Sequence, residues 1–272
     1  MFHQLSKQYE DLYQQHLESF QRRLARTFPI SSKYTDFYPS IGVPADQPVE
    51  FLVYGQAVGG WQPEHDHSQP VPSDRVEISK DWSNGRIESD SPLDWVNVQW
   101  SKYGPERWSG QRSMYIKNFG DYTPSRSFFW NVITRLITTR CQLHDLDWDW
   151  TTKLVWSNLY KIAPQDGDWK PNPSDADCVL QRPEAVWLVK KELEELKPKY
   201  CIVITNDEWW AHFRKGIGTK VLETLKDSFV QSVEQFGTSR IVVTKRPFVG
   251  SAKAAVEEIS KYLPTPEKEV VR

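Results

Sequence analysis

Hydrophobic residues recur along the chain with two different periods. The opening segment repeats them at three- and four-residue steps, from Leu5 and Tyr9 to Leu24, which predicts an amphipathic helix. That helix should end before Pro29, because proline disfavours helix in the residue that precedes it. Four short apolar runs further along predict β-strands. These runs are Val49–Tyr54, Lys153–Trp156, Tyr200–Thr205 and Arg240–Thr244.

Helical patterns separate the four apolar runs. Helices are predicted at about Ser125–Thr138, from Pro183 to just before Pro198, and from an N-cap near Ser251 onward, with more helix between the third and fourth strands. Strands that alternate with helices are typical of right-handed crossovers and of a parallel sheet covered on both faces. The pattern therefore predicts a three-layer α/β/α sandwich with a central four-stranded parallel sheet.

The chain shows neither an internal repeat nor a convincing linker, so we expect residues 1–272 to form a single α/β domain. The N-terminal helix would occupy residues 1–28, the core 49–263 and a loose tail 264–272. Residues from about 62 to 120 are polar, rich in Pro, Ser, Asp and Trp, and without a clear period. A stretch of that length in a compact domain is usually functional or contains small elements.

Composition narrows the class of protein. Most of the 13 tryptophans should pack in the core, with a minority available to a flat ligand. A formal net charge of −2 argues against nucleic-acid binding by charge alone but leaves room for a local basic face. Three cysteines without CxxC spacing disfavour a disulfide framework and an iron–sulfur site. With no run long enough to span a membrane and no secretory segment, we expect a cytoplasmic protein without a membrane partner.

Polar residues follow each predicted strand, and in a parallel sheet such residues converge on one crevice. The four segments are Gly55–Trp61, Ser157–Tyr160, Thr205–Asp207 and Lys245–Ser251. Together they suit a planar polar ligand beside a phosphate, which the start of the last helix and its neighbouring cations would attract. An alternative is that Arg246 pairs with a structural carboxylate.

Several familiar motifs are missing from the sequence. It contains no GxxxxGK[ST] loop, no GxGxxG after the first strand and no GxSxG elbow, which disfavours nucleotide-phosphate cradles and α/β-hydrolases. The run Glu64-His65-Asp66-His67 offers metal-ligand types, but its spacing matches no recognised closed site, and such runs are more often solvated loops. We therefore expect neither a metal nor a cofactor.

The strand-end motifs, taken in order, resemble those of the uracil-DNA glycosylase superfamily. Val53-Tyr54-Gly55-Gln56 looks like its Gly-Gln loop, Leu154–Asn158 like the strand that ends in a base-reading asparagine, and Arg246-Pro247 like its His-Pro loop. The resemblance spans about residues 49–263. It implies a DNA glycosylase that hydrolyses the N-glycosidic bond of a flipped-out uracil or modified pyrimidine and leaves an abasic site.

The sequence departs from that superfamily at two positions. Ala57 stands where many members carry a water-activating aspartate, and Arg246 stands where they carry a histidine. Glu64 and Asp66 are the candidates to replace the carboxylate, and Arg246 would stabilise the departing base. A carboxylate at a different position in the chain, together with the glycines that follow Ala57, would leave space for a bulkier, hypermodified pyrimidine such as those in some phage genomes. An enzyme that removes such a base would act in antiviral defence.

The remaining site residues follow from the chemistry of a flipped base. Gln56 and Asn158 would bind its edge, and an aromatic ring would stack on its face. Trp61, Phe128 and Phe129 are the candidates for that ring. Contacts to the DNA backbone are assigned to Lys245, Ser251 and Lys253.

Two other functions fit the same fold. A catalytically inactive relative could bind nucleic acid or a nucleotide, as the missing aspartate and histidine suggest. A protein-interaction module could use exposed tryptophans as its contact surface.

Overall fold

A computed structural model describes residues 1–27, 33–57, 61, 64–84, 92–93, 96, 127–143, 148–165, 173–246 and 252–264. The helices in these ranges are α1 (Lys7–Thr27), α2 (Arg75–Asn84), α3 (Phe128–Arg140), α4 (Asp175–Leu196), α5 (Asp207–Ile217) and α6 (Ala252–Ser260), with a 3-10 helix at Trp148–Lys153. The strands are β1 (Lys33–Asp36), β2 (Ser40–Ile41), β3 (Phe51–Gly55), β4 (Glu64–Asp66), β5 (Leu154–Asn158), β6 (Ile162–Pro164), β7 (Tyr200–Ile204), β8 (Lys220–Thr224), β9 (Val230–Phe236) and β10 (Ser239–Thr244).

The main sheet of the described residues has the strand order β2-β5-β3-β7-β10-β9-β8. Its centre consists of β5, β3, β7 and β10, which are the four predicted strands, and every pairing among them is parallel. The predicted number of strands is wrong, because β2 on one side and β9 and β8 on the other extend the sheet to seven strands by antiparallel pairing. The carboxyl ends of the four central strands nevertheless lie together, as predicted.

The β8–β9 hairpin occupies residues for which the sequence predicts helix. Helix α5 ends at Ile217, followed by Gly218 in a left-handed conformation with φ of 82°. Glu234 of β9 is fully buried and pairs with Arg214 of α5, the Nη2 and Oε1 atoms lying 2.6 Å apart. A buried charge in the middle of a strand interrupts the apolar pattern that would have revealed β9.

Helix α4 begins eight residues before the predicted start at Pro183. Ser174 and Asp177 form a capping box, in which each side chain bonds the backbone of the other residue. Pro183 therefore lies inside the helix, where its missing N–H leaves the carbonyl of Val179 without its helical partner. Val179 is 55% exposed, so water can solvate that carbonyl.

A second sheet, with the order β4-β1-β6, lies in a region that the sequence leaves without regular structure. Both of its pairings are antiparallel. Asp36 at the end of β1 accepts a hydrogen bond from Nε of Arg75 in α2 at 2.7 Å, and both side chains are buried. This ion pair attaches α2 to the small sheet.

The core consists of two hydrophobic clusters on opposite faces of the main sheet. Along β3, Leu52 and Tyr54 enter the cluster covered by α1, α4 and α5, whereas Phe51 and Val53 enter the cluster covered by α3 and α6. This alternation follows from the two-residue period of a strand. The arrangement is a mixed α/β fold with helices on both faces of the sheet. None of the described helices is long and apolar enough to cross a membrane.

Candidate functional site

The ends of β3 and β5 form the floor of the candidate site. Gly55 and Asn158 are paired residues at the ends of these parallel strands, and the amide of Leu159 continues the pairing with a 2.9 Å bond to the Gly55 carbonyl. A Cβ atom on Gly55 would lie 2.6 Å from Oδ1 of Asn158, well inside van der Waals contact. Glycine at position 55 therefore gives the Asn158 carboxamide the space that it occupies.

The Asn158 side chain has an unused hydrogen-bond donor. The residue is only 2% exposed, and Nδ2 has no hydrogen-bond partner among the described residues. Leaving a buried donor unpaired costs about 1–3 kcal/mol. An acceptor atom on a ligand would remove that cost.

Arg246 connects the ends of three strands. Its Nη1 donates to Oε1 of Gln56 at 2.9 Å, and its backbone N–H donates to Oδ1 of Asn206. Asn206 follows β7, and its own amide donates to the Thr244 carbonyl of β10 at 3.0 Å. The guanidinium therefore lies beside the Gln56 carboxamide, as expected for two residues assigned to one crevice.

Asn206 is a site residue that the sequence assignment missed, although its segment lies directly after a predicted strand. Its φ of 85° and ψ of 149° belong to a backbone region that is almost restricted to glycine. As the N-cap residue of α5 it makes no side-chain capping bond, because its carboxamide bonds Arg246 instead. Strained backbone of this kind concentrates at functional sites.

The aromatic ring beside Asn158 is that of Phe129. The Cβ position of Gly55 lies 3.7 Å from Cε2 of Phe129, and the residue is half-buried. The neighbouring Phe128 instead packs towards Phe229, with ring centroids 6.5 Å apart. Of the two phenylalanines at the start of α3, Phe129 is the one placed to contact a ligand.

Trp61 belongs to the core. It is 3% exposed, and its ring packs edge-on against Phe37 at 5.0 Å and Trp156 at 5.4 Å between centroids. A ring enclosed in this way presents no free face to a base. The predicted stacking role of Trp61 is therefore not supported by its position.

The structure places Glu64 and Asp66 on β4, at the edge of the small sheet. Glu64 forms an ion pair with Lys33 at 3.1 Å, and its carbonyl accepts a bond from Arg75. Asp66 accepts a 2.9 Å bond from the amide of Ser68, and bonds from Ser68 lower its pKa. These contacts belong to the small sheet and do not bring the two carboxylates together with Gln56, Asn158 and Arg246.

Lys161 follows the same strand as Asn158 but lies in a closed cluster. Its ammonium is fully buried and donates to Oγ of Ser157 at 2.5 Å, to the carbonyl of Asn158 at 2.7 Å and to Oε1 of Glu192 at 2.7 Å. Burial lowers the pKa of Lys161, and the Glu192 carboxylate opposes that effect. Because all three donors are used, Lys161 fixes the backbone of Asn158 and is not available as an amine nucleophile.

Of the residues assigned to the DNA backbone, Lys245 follows β10 and Lys253 lies in α6. Lys245 is exposed at the end of β10, and Lys253 is exposed in the first turn of α6, where its ammonium lies 3.9 Å from Glu257. Ser251 lies outside the described residues. Both lysines are exposed, one directly before Arg246 and the other in the first turn of α6.

The Glu64–His67 run forms β4 and the turn after it. His65 and His67 border a small cavity of about 30 Å³ together with Asp36 and Arg75. Within the described ranges, no three His, Cys, Asp or Glu side chains are grouped so that they could hold a metal ion.

Comparison of the chain with protein-family models and with curated proteins finds no match. The functional argument therefore depends on the strand-end motifs and on the contacts around Asn158.

Proposed function

We propose that this protein is a DNA glycosylase that binds a flipped-out uracil or modified pyrimidine and hydrolyses its N-glycosidic bond. The observation that carries the proposal is the buried, unpartnered Nδ2 of Asn158, next to Phe129 and at the end of the strand beside Gln56. A polar edge beside an aromatic face is what an unstacked base requires.

The polar atoms at the ends of β3 and β5 favour a ligand rich in acceptors. Gln56 Oε1 is occupied by Arg246, so the Gln56 carboxamide offers its Nε2 donor, and Asn158 offers Nδ2. A pyrimidine with carbonyl oxygens supplies matching acceptors. Stacking on Phe129 would add about 1–3 kcal/mol for one base.

The chemistry proposed is displacement of the base by water. The bond between C1′ and the base nitrogen breaks with its electron pair on the base, the water oxygen bonds C1′, and the water proton ends on the base. Arg246 is permanently charged and would stabilise the negative charge that develops on the departing base. The bonds from Arg246 to Gln56 and to Asn206 would hold the guanidinium in place.

A second candidate is a relative that binds a base or nucleotide without cleaving it. Two observations favour it: Ala57 stands where the superfamily carries its aspartate, and Glu64 and Asp66 are held in the small sheet. In this case the crevice contacts would serve binding alone.

The decisive experiment is incubation with DNA oligomers that carry uracil, 5-hydroxymethylcytosine or glucosylated hydroxymethylcytosine, followed by alkali to reveal abasic sites. An oligomer with hypoxanthine, a purine, is the comparison that we expect to stay intact. We expect strand breaks with one substrate, lost in Asn158→Ala and Arg246→Ala. Arg240→Ala is the matched control, because Arg240 lies near the start of β10, at the opposite end of the sheet from Arg246, which follows the same strand.

The outcomes separate the candidates. Cleavage that survives Asn158→Ala and Arg246→Ala would contradict the assigned site. Tight binding of one oligomer without any cleavage would favour the non-cleaving relative. Neither binding nor cleavage of any oligomer would contradict both nucleic-acid candidates.

A further inference from the structure

Strand β8 is the outermost strand of the main sheet and is unusual in its exposure. It pairs with β9 on one side only, and all five of its residues are exposed. Val221 and Leu222, two adjacent apolar residues, are 42% and 43% exposed. An apolar edge strand with an unpaired row of backbone groups is a template for pairing with another strand.

The pairing with β9 leaves part of β8 unused. The register shifts between Val221 and Glu223, so Leu222 has no opposite residue in β9. Lys220 and Glu223, which flank the apolar pair, make no ion pair with any described residue. Within the described residues, Leu222 therefore lacks a cross-strand neighbour, and Lys220 and Glu223 lack an ion pair.

The sequence Lys220-Val221-Leu222-Glu223 is complementary to itself in an antiparallel pair. With a two-fold axis between Val221 and Leu222, each Val221 lies opposite the Leu222 of a second copy, and each Lys220 lies opposite its Glu223. The register shift places Lys220 opposite Gln235 and Glu223 opposite Val233, which are two residues apart in β9, so Lys220 and Glu223 lie on the same face of the sheet and can meet across the two-fold axis. Two-fold symmetry makes every favourable pair occur twice.

We propose that β8 is a homodimerisation edge, at which two copies of this chain join their main sheets by antiparallel β8–β8 pairing. The inference is independent of the proposed enzymatic function, since β9 separates β8 from β10 and four strands separate β8 from β5. The opposing interpretation is that Lys220, Glu223 and the bulge protect the edge from association, which predicts a monomer.

The test is sedimentation velocity of the full chain at concentrations up to about 100 µM, a range that detects weak interfaces. Lys220→Glu would place like charges opposite each other twice, and we expect it to raise the dimer dissociation constant at least about tenfold. Lys220→Glu with Glu223→Lys restores opposite charges, so the double variant should return to within about threefold of wild type. Lys226→Glu, an exposed lysine beyond the strand, is the matched control.

Loss of the dimer in Lys220→Glu, with recovery in the double variant and no effect of Lys226→Glu, would establish the interface and its register. A wild-type chain that stays monomeric over the whole range would overturn the proposal. So would a dimer that is unaffected by Lys220→Glu. Circular dichroism of each variant checks that the fold is intact, which we expect because the substituted residues are exposed.

Discussion

Two polar clusters lie side by side at the end of β5 and differ in how their hydrogen bonds are satisfied. In the first, the three donors of Lys161 have three acceptors, and Glu192 also accepts bonds from Tyr9 at 2.6 Å and Tyr54 at 2.8 Å. In the second, the Nδ2 donor of Asn158 has no partner. A closed cluster stabilises the fold, whereas an open one is suited to a ligand, so substitutions in the two should have different consequences.

The largest effect on stability is expected in the closed cluster. Lys161→Met leaves the Glu192 carboxylate buried without its counter-charge, which should lower the free energy of unfolding by about 3–5 kcal/mol. Denaturant unfolding measures this change. Lys161→Met combined with Glu192→Gln removes both charges and keeps an acceptor for the tyrosines, so it should recover much of the loss. A loss below about 1 kcal/mol for Lys161→Met would mean that the pair is not truly desolvated.

A smaller effect is expected from His16, which lies on the buried face of α1 near Lys161 of the closed cluster. His16 is fully buried, neither ring nitrogen has a hydrogen-bond partner, and burial together with Lys161 and Arg23 lowers its pKa to about 3. Between pH 3 and the ordinary value of 6.5 the unfolded chain binds the extra proton, so acid favours unfolding. At pH 5 this costs about 2 kcal/mol relative to neutral pH.

His16→Leu removes the titrating group and two unpaired polar atoms. The variant should lose about 2 kcal/mol less stability than wild type between pH 7 and pH 5, as measured by denaturant unfolding at both values. If the free energy of unfolding fell by the same amount in both proteins between pH 7 and pH 5, His16 would be solvated in the native state.

The smallest effect on stability is expected in the open cluster, at Asn206. Asn206→Gly permits the φ of 85° at no steric cost but removes the acceptor of the Arg246 amide. The melting temperature should therefore change little, while hydrogen exchange of the Arg246 amide should become faster by about tenfold, the equivalent of one lost bond. Asn206→Ala is the contrasting variant, because it loses the same bond but retains the backbone strain that glycine relieves, so it should be less stable than Asn206→Gly by about 1–3 kcal/mol. An unchanged exchange rate of the Arg246 amide in Asn206→Gly would show that its bond to the Asn206 side chain does not protect it.

The parts of the fold that depend on short-range pattern could be predicted from the sequence. The four central strands are continuous apolar runs, because a parallel strand is buried on both faces. Gln56, Asn158 and Arg246 could be placed at one end of the sheet for the same reason, since each follows or ends such a strand.

Other features depend on long-range partners and left no local signal. Glu234 can be buried in β9 because Arg214 and Trp210 of α5 pair with its carboxylate and donate hydrogen bonds to it. The enclosure of Trp61 by Phe37 and Trp156, and the choice of Phe129 rather than Phe128, are decided by packing between distant segments. Sequence position could place an aromatic residue near the site, but it could not show which face of the ring is covered.

The most direct test of the central claim follows the Asn158 side-chain amide by NMR. Its resonances can be assigned by comparison with Asn158→Asp and followed while duplex DNA is added that carries an uncleavable 2′-fluoro-2′-deoxyuridine opposite guanine. The account predicts that these resonances shift downfield as Nδ2 bonds a carbonyl oxygen of the base, and that the shift is absent with duplex carrying an abasic analogue at the same position. Binding of the uridine duplex without any change at the Asn158 amide would contradict the account.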